Sequence, residues 1–163
     1  MKTSWGKPVH IIRFCRTLLI VLTVAVCTVA ADDLEALRKK AEAGDSEAQR
    51  ELSIIYARGE GVPEDFTESL KWLGKSIEQG DAAAQFNLGR MYATGRGVPQ
   101  DDAEAGRWYR LAAAQGHAGA QFTLGVMYDQ GRGVAQNDVE ALRWYRLGAA
   151  QGHAGAQFNL GVM

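Results

Sequence analysis

Two groups of residues have types and spacings that suggest chemistry, namely paired glycines and paired histidines. Gly95 and Gly97 are separated by one residue, as at the start of a nucleotide-binding loop. The third glycine of that loop is absent, and the segment follows a predicted helix rather than a strand, so a tight turn explains the pair better. His117 and His153 recur at one spacing with no third ligand nearby, which favours polar residues at helix ends over a metal site.

A row of basic residues is the other candidate for binding chemistry. Lys71, Arg107 and Arg143 are evenly spaced, and each follows a glutamate by three residues. That spacing favours ion pairs on a solvated helix face over a site for an anionic ligand. The sequence contains no evident Ser-His-acid set, paired carboxylates or metal constellation. It therefore predicts a protein that is not an enzyme and that holds no cofactor.

Charge and composition exclude several other classes of protein. The chain of 163 residues is 47% hydrophobic and 23% charged, which is typical of a folded protein rather than a disordered one. Residues 1–31 contain four basic and no acidic side chains, so the remainder carries 14 basic against 19 acidic ones. Because proteins that bind nucleic acid or anionic membranes rely on basic patches, we expect neither kind of partner.

The pattern of residues 1–31 is typical of a secretory signal peptide. Its basic segment precedes an uncharged apolar stretch, residues 17–31, which ends in small residues before two aspartates. As a helix this stretch would rise about 22 Å, which is less than the ~30 Å hydrocarbon core of a bilayer. We therefore expect cleavage after Ala30 or Ala31, only transient membrane contact, and a periplasmic or secreted mature protein. A lipid anchor on Cys27 and an uncleaved membrane anchor are the less favoured alternatives.

The rest of the chain repeats every 36 residues, which is the strongest pattern in the sequence. Several residue types recur at this spacing, namely glutamine, tyrosine, glycine, valine and tryptophan. The glutamines, for example, are Gln49, Gln85, Gln121 and Gln157. The period divides the chain into a leader (1–31), an N-terminal capping helix (32–45), a degenerate repeat 1 (46–81), repeat 2 (82–117), repeat 3 (118–153) and an incomplete repeat 4 (154–163).

Each repeat predicts two helices that have one apolar face. In repeat 2 the first helix is expected over 82–93 and the second over about 102–115, with a glycine-rich connector between them. One pair of helices cannot bury its own aromatic residues, so neighbouring repeats must stack into an all-α solenoid. The residues expected to hold this shape are Leu88, Gly89, Tyr92, Gly95, Gly97, Trp108, Tyr109, Leu124, Gly125, Tyr128, Trp144 and Tyr145.

The repeats share the pattern A-x-A-Q-x-x-L-G-x-x-Y-x-x-G-x-G-V-x-x-D-x-x-x-A-x-x-W-Y-x-x-A-A-x-Q-G, which residues 82–117 match at essentially every defined position. Repeat 3 departs from it at Asn137 and Gly148, whereas repeat 1 has Ser53 for a glycine and Leu73 for a tyrosine. This pattern resembles the Sel-one-like repeat, a relative of the tetratricopeptide repeat. The resemblance implies a right-handed α/α superhelix that serves as a protein-interaction scaffold, often in bacterial envelope or secreted proteins.

The resemblance also implies that the protein binds a partner protein or peptide in the concave groove of the superhelix. If the groove is lined as in tetratricopeptide proteins, its side chains come from the first helices, at set positions around the leucine. Those candidates are Phe86, Arg90, Phe122, Val126, Asp129 and Phe158. The phenylalanines have a second interpretation, in which they pack between repeats instead of contacting a partner.

Two other functions remain as alternatives. Some cysteine-rich secreted members of the family are described as β-lactamase-like, but both cysteines of this chain lie in the leader, so the mature chain has none. The other alternative is a partnerless fragment of a longer array, since residues 154–163 cover only the start of a further repeat. We expect this segment to fray, to be covered by another subunit through self-association, or to be a truncated copy of a longer array.

Overall fold

The computed structural model describes residues 32–162, and all regular secondary structure in this part of the chain is helical. Residues 32–42 are helical and are called α1. The helices that follow are α2 (Ser46–Arg58), α3 (Phe66–Glu78), α4 (Ala82–Thr94), α5 (Asp102–Ala114), α6 (Ala118–Gln130), α7 (Asp138–Ala150) and α8 (Ala154–Val162). The two helices predicted for repeat 2 are confirmed to within one residue at each end. The predicted signal peptide lies outside the described residues.

Local interactions fix where the helices begin and end. The carboxylate of Asp101 accepts hydrogen bonds from the backbone N–H groups of Ala103 and Glu104, at 2.9 and 3.0 Å, and so caps α5. Asp65 and Asn137 cap α3 and α7 in the same way. The first helices of repeats 1 to 3 end at a glycine in the left-handed conformation, and these are Gly59, Gly95 and Gly131. No helix of residues 32–162 is long and apolar enough to cross a membrane.

The two helices of repeats 2 and 3 pack closely because a glycine on the first helix faces a tyrosine on the second. A Cβ atom at Gly89 would lie 2.7 Å from the ring of Tyr109, and one at Gly125 would lie 2.5 Å from the ring of Tyr145. A larger side chain at either glycine would therefore displace the ring. Tyr109 and Tyr145 are 3% and 0% exposed, so these two pairs form much of the core of their repeats.

Buried glutamines connect one repeat to the next. Gln121 donates a side-chain hydrogen bond to the backbone carbonyl of Ala113, at 3.2 Å, and accepts one from the side chain of Gln151, at 2.7 Å. Gln121 is 4% exposed, and an amide so well buried is stable only when its polar atoms have partners. Gln121 therefore has a structural role, and it ties the end of α5 to α6.

Helix α1 takes the place that a second helix occupies in a complete repeat. Arg38 donates a hydrogen bond to the hydroxyl of Tyr56 at 2.6 Å, just as Arg110 of α5 donates to Tyr128 of α6 at 3.2 Å. The backbone carbonyl of Ala41 accepts the side chain of the first glutamine of the series, at 2.9 Å. Because α1 makes the contacts of a second helix, it covers one face of repeat 1.

Candidate functional site

The basic row on the second helices consists of ion pairs. Each pair joins residues i and i+3 of one helix, and the three pairs are Lys71–Glu68 at 2.9 Å, Arg107–Glu104 at 2.6 Å and Arg143–Glu140 at 3.2 Å. The ion pairs predicted from the spacing are confirmed. All three basic side chains are more than half exposed, so the pairs contribute little to stability.

A cavity of about 280 Å³ opens between repeats 1 and 2, and it is called the repeat 1–2 cavity below. Its lining includes Ser53 of α2, Leu73 of α3 and Met91 of α4. The exposed side chains of Arg58 and Arg90 also line it. Pockets for drug-sized ligands measure roughly 300–1,000 Å³, so this cavity has room for one or two side chains of a partner.

Among the predicted groove residues, Arg90 lines the repeat 1–2 cavity, and the others lie elsewhere. Val126 is partly buried and packs against a cluster that includes residues of α7 and α8. Asp129 is partly buried near the end of α6. Phe158 of α8 is 70% exposed. The first helices therefore differ in how much of their surface is open to a partner.

Phe86 and Phe122 each stack on the histidine that immediately precedes the first helix of the next repeat. The ring of Phe86 stacks on the imidazole of His117, with ring centroids 4.6 Å apart and planes 27° apart. Phe122 stacks on His153 at the same distance, with planes 23° apart. Phe86 also contacts the ring of Tyr109, at 5.4 Å between centroids. These contacts favour the packing interpretation of the two phenylalanines.

The two histidines also cap helices, which confirms that they are polar residues at helix ends. Nδ1 of His117 accepts a hydrogen bond from the backbone N–H of Ala120 at 3.1 Å, and Nδ1 of His153 accepts one from Ala156 at 3.3 Å. An imidazole nitrogen accepts a hydrogen bond only when it carries no proton. The cap of α6 therefore requires the neutral form of His117.

An ion pair replaces the aromatic stack where α2 meets the start of α4. Arg50 occupies the position of Phe86, and Asp81 occupies that of His117. Nε of Arg50 donates to the carboxylate of Asp81 at 3.0 Å, and the same carboxylate accepts from two backbone N–H groups of α4 and from Ser76. Burial acts to raise the pKa of Asp81, but these hydrogen bonds outweigh it and hold the pKa below its usual value.

Side chains that could act chemically are sparse in the described residues. Within 32–162, no group of three or more His, Cys, Asp or Glu residues is arranged to hold a metal ion. Burial raises the pKa of Tyr109 to about 12, so its hydroxyl stays protonated near neutral pH. The arrangement is one of packed repeats, and at the junction of repeats 1 and 2 the side chains leave a cavity.

Comparison with known proteins identifies the repeat. The family model of the Sel1 repeat matches three segments, residues 46–81, 82–117 and 118–153. The chain belongs to the Sel1 repeat family. Sel1 repeats form scaffolds that commonly mediate protein–protein interaction, and proteins built from them are generally not enzymes. No curated protein sequence matches the chain significantly.

Solved Sel1 repeat structures have the same fold. A Sel1 repeat protein from Oxalobacter formigenes is 42% identical, with a TM-score of 0.74 over 80% of this chain and 98% of its own. A protective antigen of uropathogenic Escherichia coli strains, which displays an SLR fold, is 44% identical with a TM-score of 0.74. That match covers 76% of this chain but 27% of the antigen, so the chain spans about a quarter of its length. Helicobacter pylori cysteine rich protein B shares the fold at 20% identity and a TM-score of 0.63, over 80% of this chain and 96% of its own.

The cavity in this Sel1 array was not predicted, although the sequence contains an indication of it. Ser53 and Leu73 replace a glycine and a tyrosine that face each other in the other repeats, where they correspond to Gly89 and Tyr109. Two changes at one facing pair indicate a local change of packing. The period alone, however, does not show whether the surrounding side chains fill the space.

Because His117 caps a Sel1 helix in its neutral form, we expect the free energy of unfolding to fall as the pH falls. Burial lowers the pKa of His117, Asp81 acts to raise it, and Arg50 and His153 act to lower it. The unfolded chain takes up this proton near pH 6.5 and the folded chain only at lower pH, so protons favour unfolding. Between about pH 7.5 and about pH 5.5, urea unfolding is expected to show a loss of up to about 1 kcal/mol from this cap.

The matched control is His117→Asn, because asparagine caps helices without titrating, as Asn137 does for α7. The two proteins differ only at position 117, so the difference between their pH profiles reports on the histidine. Parallel profiles for the wild type and the variant would show that the neutral imidazole does not stabilise α6.

Proposed function

We propose that this Sel1 repeat chain is an exported, non-enzymatic scaffold that binds a protein or peptide on the surface formed by its first helices. The observation that carries the proposal is the repeat 1–2 cavity, which opens between α2 and α4 and has room for side chains of a partner. The cavity lies at the junction of two successive repeats. In repeats 2 and 3 the rings of Tyr109 and Tyr145 occupy the equivalent space.

Export is supported by the sequence pattern of the leader. Four basic residues, an apolar stretch and small residues precede the first acidic residue, Asp32. Residues 32–162 contain no cysteine, so this part of the chain needs no disulfide to keep its fold in an oxidising compartment. The same absence leaves the cysteine-rich, β-lactamase-like alternative without a supporting residue in the repeats.

Site-specific photocrosslinking in the native host tests which face binds a partner. A photoreactive amino acid is placed at Thr94, which lines the repeat 1–2 cavity, or at Leu111, which is 50% exposed on the second helix of the same repeat. We expect discrete covalent adducts with another protein from position 94 and none above background from position 111. Equal adducts from both positions, or adducts from position 111 alone, would contradict binding through the first helices.

A further inference from the structure

The repeat 1–2 cavity is lined by the residues at which repeat 1 differs from the other repeats. Ser53, Phe66, Ser69 and Leu73 all line it. In repeat 2 the same positions hold a glycine, an aspartate, an alanine and a tyrosine. Leu73 has no aromatic ring to fill the space that a tyrosine fills elsewhere, and the Cβ and hydroxyl of Ser53 would obstruct such a ring. Four of the side chains that line the cavity are therefore ones at which repeat 1 departs from the regular pattern.

The junction around the cavity is also less tightly packed than the next one. Helix α3 makes a smaller contact with α4 than α5 makes with α6 or α7 with α8. Serines replace alanines on α3, and the hydroxyl of Ser69 is satisfied by the backbone carbonyl of Ser53 at 2.8 Å. The side chains of Phe66, Leu73 and Met91 give the cavity an apolar surface beside the polar side chains of the wall.

The charged side chains that line the cavity are all basic. Arg58 and Arg96 pair with the exposed carboxylates of Glu60 and Glu64, each at 3.2 Å. Arg90 makes no ion pair with any residue in 32–162. No aspartate or glutamate of the described residues contributes to the lining. An occupant that carries negative charge beside an apolar group would complement this surface.

We propose that the repeat 1–2 cavity binds an acidic segment of a partner protein, which inserts one large apolar side chain between α2 and α4 and places a neighbouring carboxylate against Arg90. This inference rests on the proposed function, and it adds the chemistry of the partner. The apolar side chain takes the space that Leu73 leaves open. The arginines select for acidic neighbours and favour association at low ionic strength.

Peptide selection on the full chain tests the chemistry. A library of random peptides is displayed on phage, and the selected peptides are synthesised and titrated by fluorescence anisotropy. We expect selected peptides to carry Phe, Trp or Leu within two positions of Asp or Glu. Peptides in which the acidic residues are replaced by lysine are expected to bind at least about tenfold more weakly.

A cavity-filling variant tests the location. Ser53→Gly combined with Leu73→Tyr restores in repeat 1 the facing pair that repeats 2 and 3 already contain. We expect this variant to keep the wild-type circular dichroism spectrum and to bind the selected peptides at least about tenfold more weakly, since the anchor side chain loses its space. Peptide affinity equal to that of the wild type would overturn the inference, and photocrosslinking from positions 94 and 111 would remain the test of the proposed function.

Arg90→Gln tests the charge: Arg90 lines the cavity but is exposed, and glutamine keeps a long polar side chain there while removing the positive charge. We expect about fivefold weaker binding and a flatter salt dependence. Arg107→Gln is the matched control, since Arg107 is an exposed arginine of the second helix, and it should leave affinity unchanged.

The remaining outcomes separate the two proposals. Selection of neutral or basic peptides would overturn the inferred chemistry, and a selection with no enrichment would contradict the proposed function itself. Sedimentation that shows a dimer of the wild type and a monomer of the cavity-filling variant would assign the cavity to a second copy of this chain, which also overturns the acidic segment.

Discussion

Replacement of Tyr145 by alanine is expected to lower the free energy of unfolding by about 3–5 kcal/mol, as for other large aromatic residues in well-packed cores. Tyr145 is fully buried, and its ring lies against Gly125 on the facing helix and 6.1 Å from the ring of Phe122. The substitution therefore removes contacts within repeat 3 and with a residue that also stacks on His153. Urea unfolding of the full chain, followed by far-ultraviolet circular dichroism, measures the change.

The control for this prediction is Leu147→Ala, which also shortens a large apolar side chain on α7. Leu147 is 42% exposed, so its replacement is expected to change the free energy of unfolding by no more than about 0.5 kcal/mol. Similar losses for the two variants would contradict the prediction, because the buried Tyr145 ring would then contribute no more than an exposed side chain of the same helix.

The helices and their ends could be predicted because local interactions determine them. Asp101 and Gly95 act through backbone groups within a few residues, so the sequence contains all the information that their roles need. The stacking of repeats could also be predicted, since the large and small residues recur with one period. The ion pairs of the second helices could also be predicted, because residues i and i+3 are neighbours on any helix.

The contacts between one first helix and the start of the next could not be predicted from the period. Phe86 and His117 are 31 residues apart, and they meet only because α6 begins beside α4. Equivalent positions also differ in burial, since Trp72 and Trp144 are 6% and 8% exposed whereas Trp108 is only partly buried. A periodic pattern assigns the same environment to all three tryptophans, but each environment depends on side chains supplied by the neighbouring repeat.

The repeat 1–2 cavity also depends on contacts between helices that the sequence pattern does not determine. Departures at Ser53 and Leu73 are visible in the sequence, and Arg90 is at a position predicted to face a groove. Whether two small changes leave a cavity or are compensated by a shift of the helices depends on packing across the whole junction. That result appears only when α3 and α4 are placed together.

Gly125→Ala is expected to lower the free energy of unfolding by about 1–3 kcal/mol, although alanine has the higher helix propensity. The added Cβ would lie 2.5 Å from two ring atoms of Tyr145, which has no free space to move into because it is fully buried. Gly74→Ala is the matched control: Gly74 lies inside α3, and a Cβ there would meet no atom within 4 Å. That variant is expected to gain up to about 1 kcal/mol, so the two substitutions should have opposite signs in the same urea experiment.

A second substitution tests whether the stability lost in Gly125→Ala arises from contact with the Tyr145 ring. Repeat 1 contains a side chain at the glycine position, Ser53, and compensates with Leu73 at the tyrosine position. Tyr145→Leu should therefore make Gly125→Ala less costly, and the double-mutant cycle should give a favourable coupling of at least about 1 kcal/mol. Additive effects would show that alanine at position 125 destabilises α6 through some contact other than the Tyr145 ring. The close approach of the two helices would then not depend on the Gly–Tyr pair.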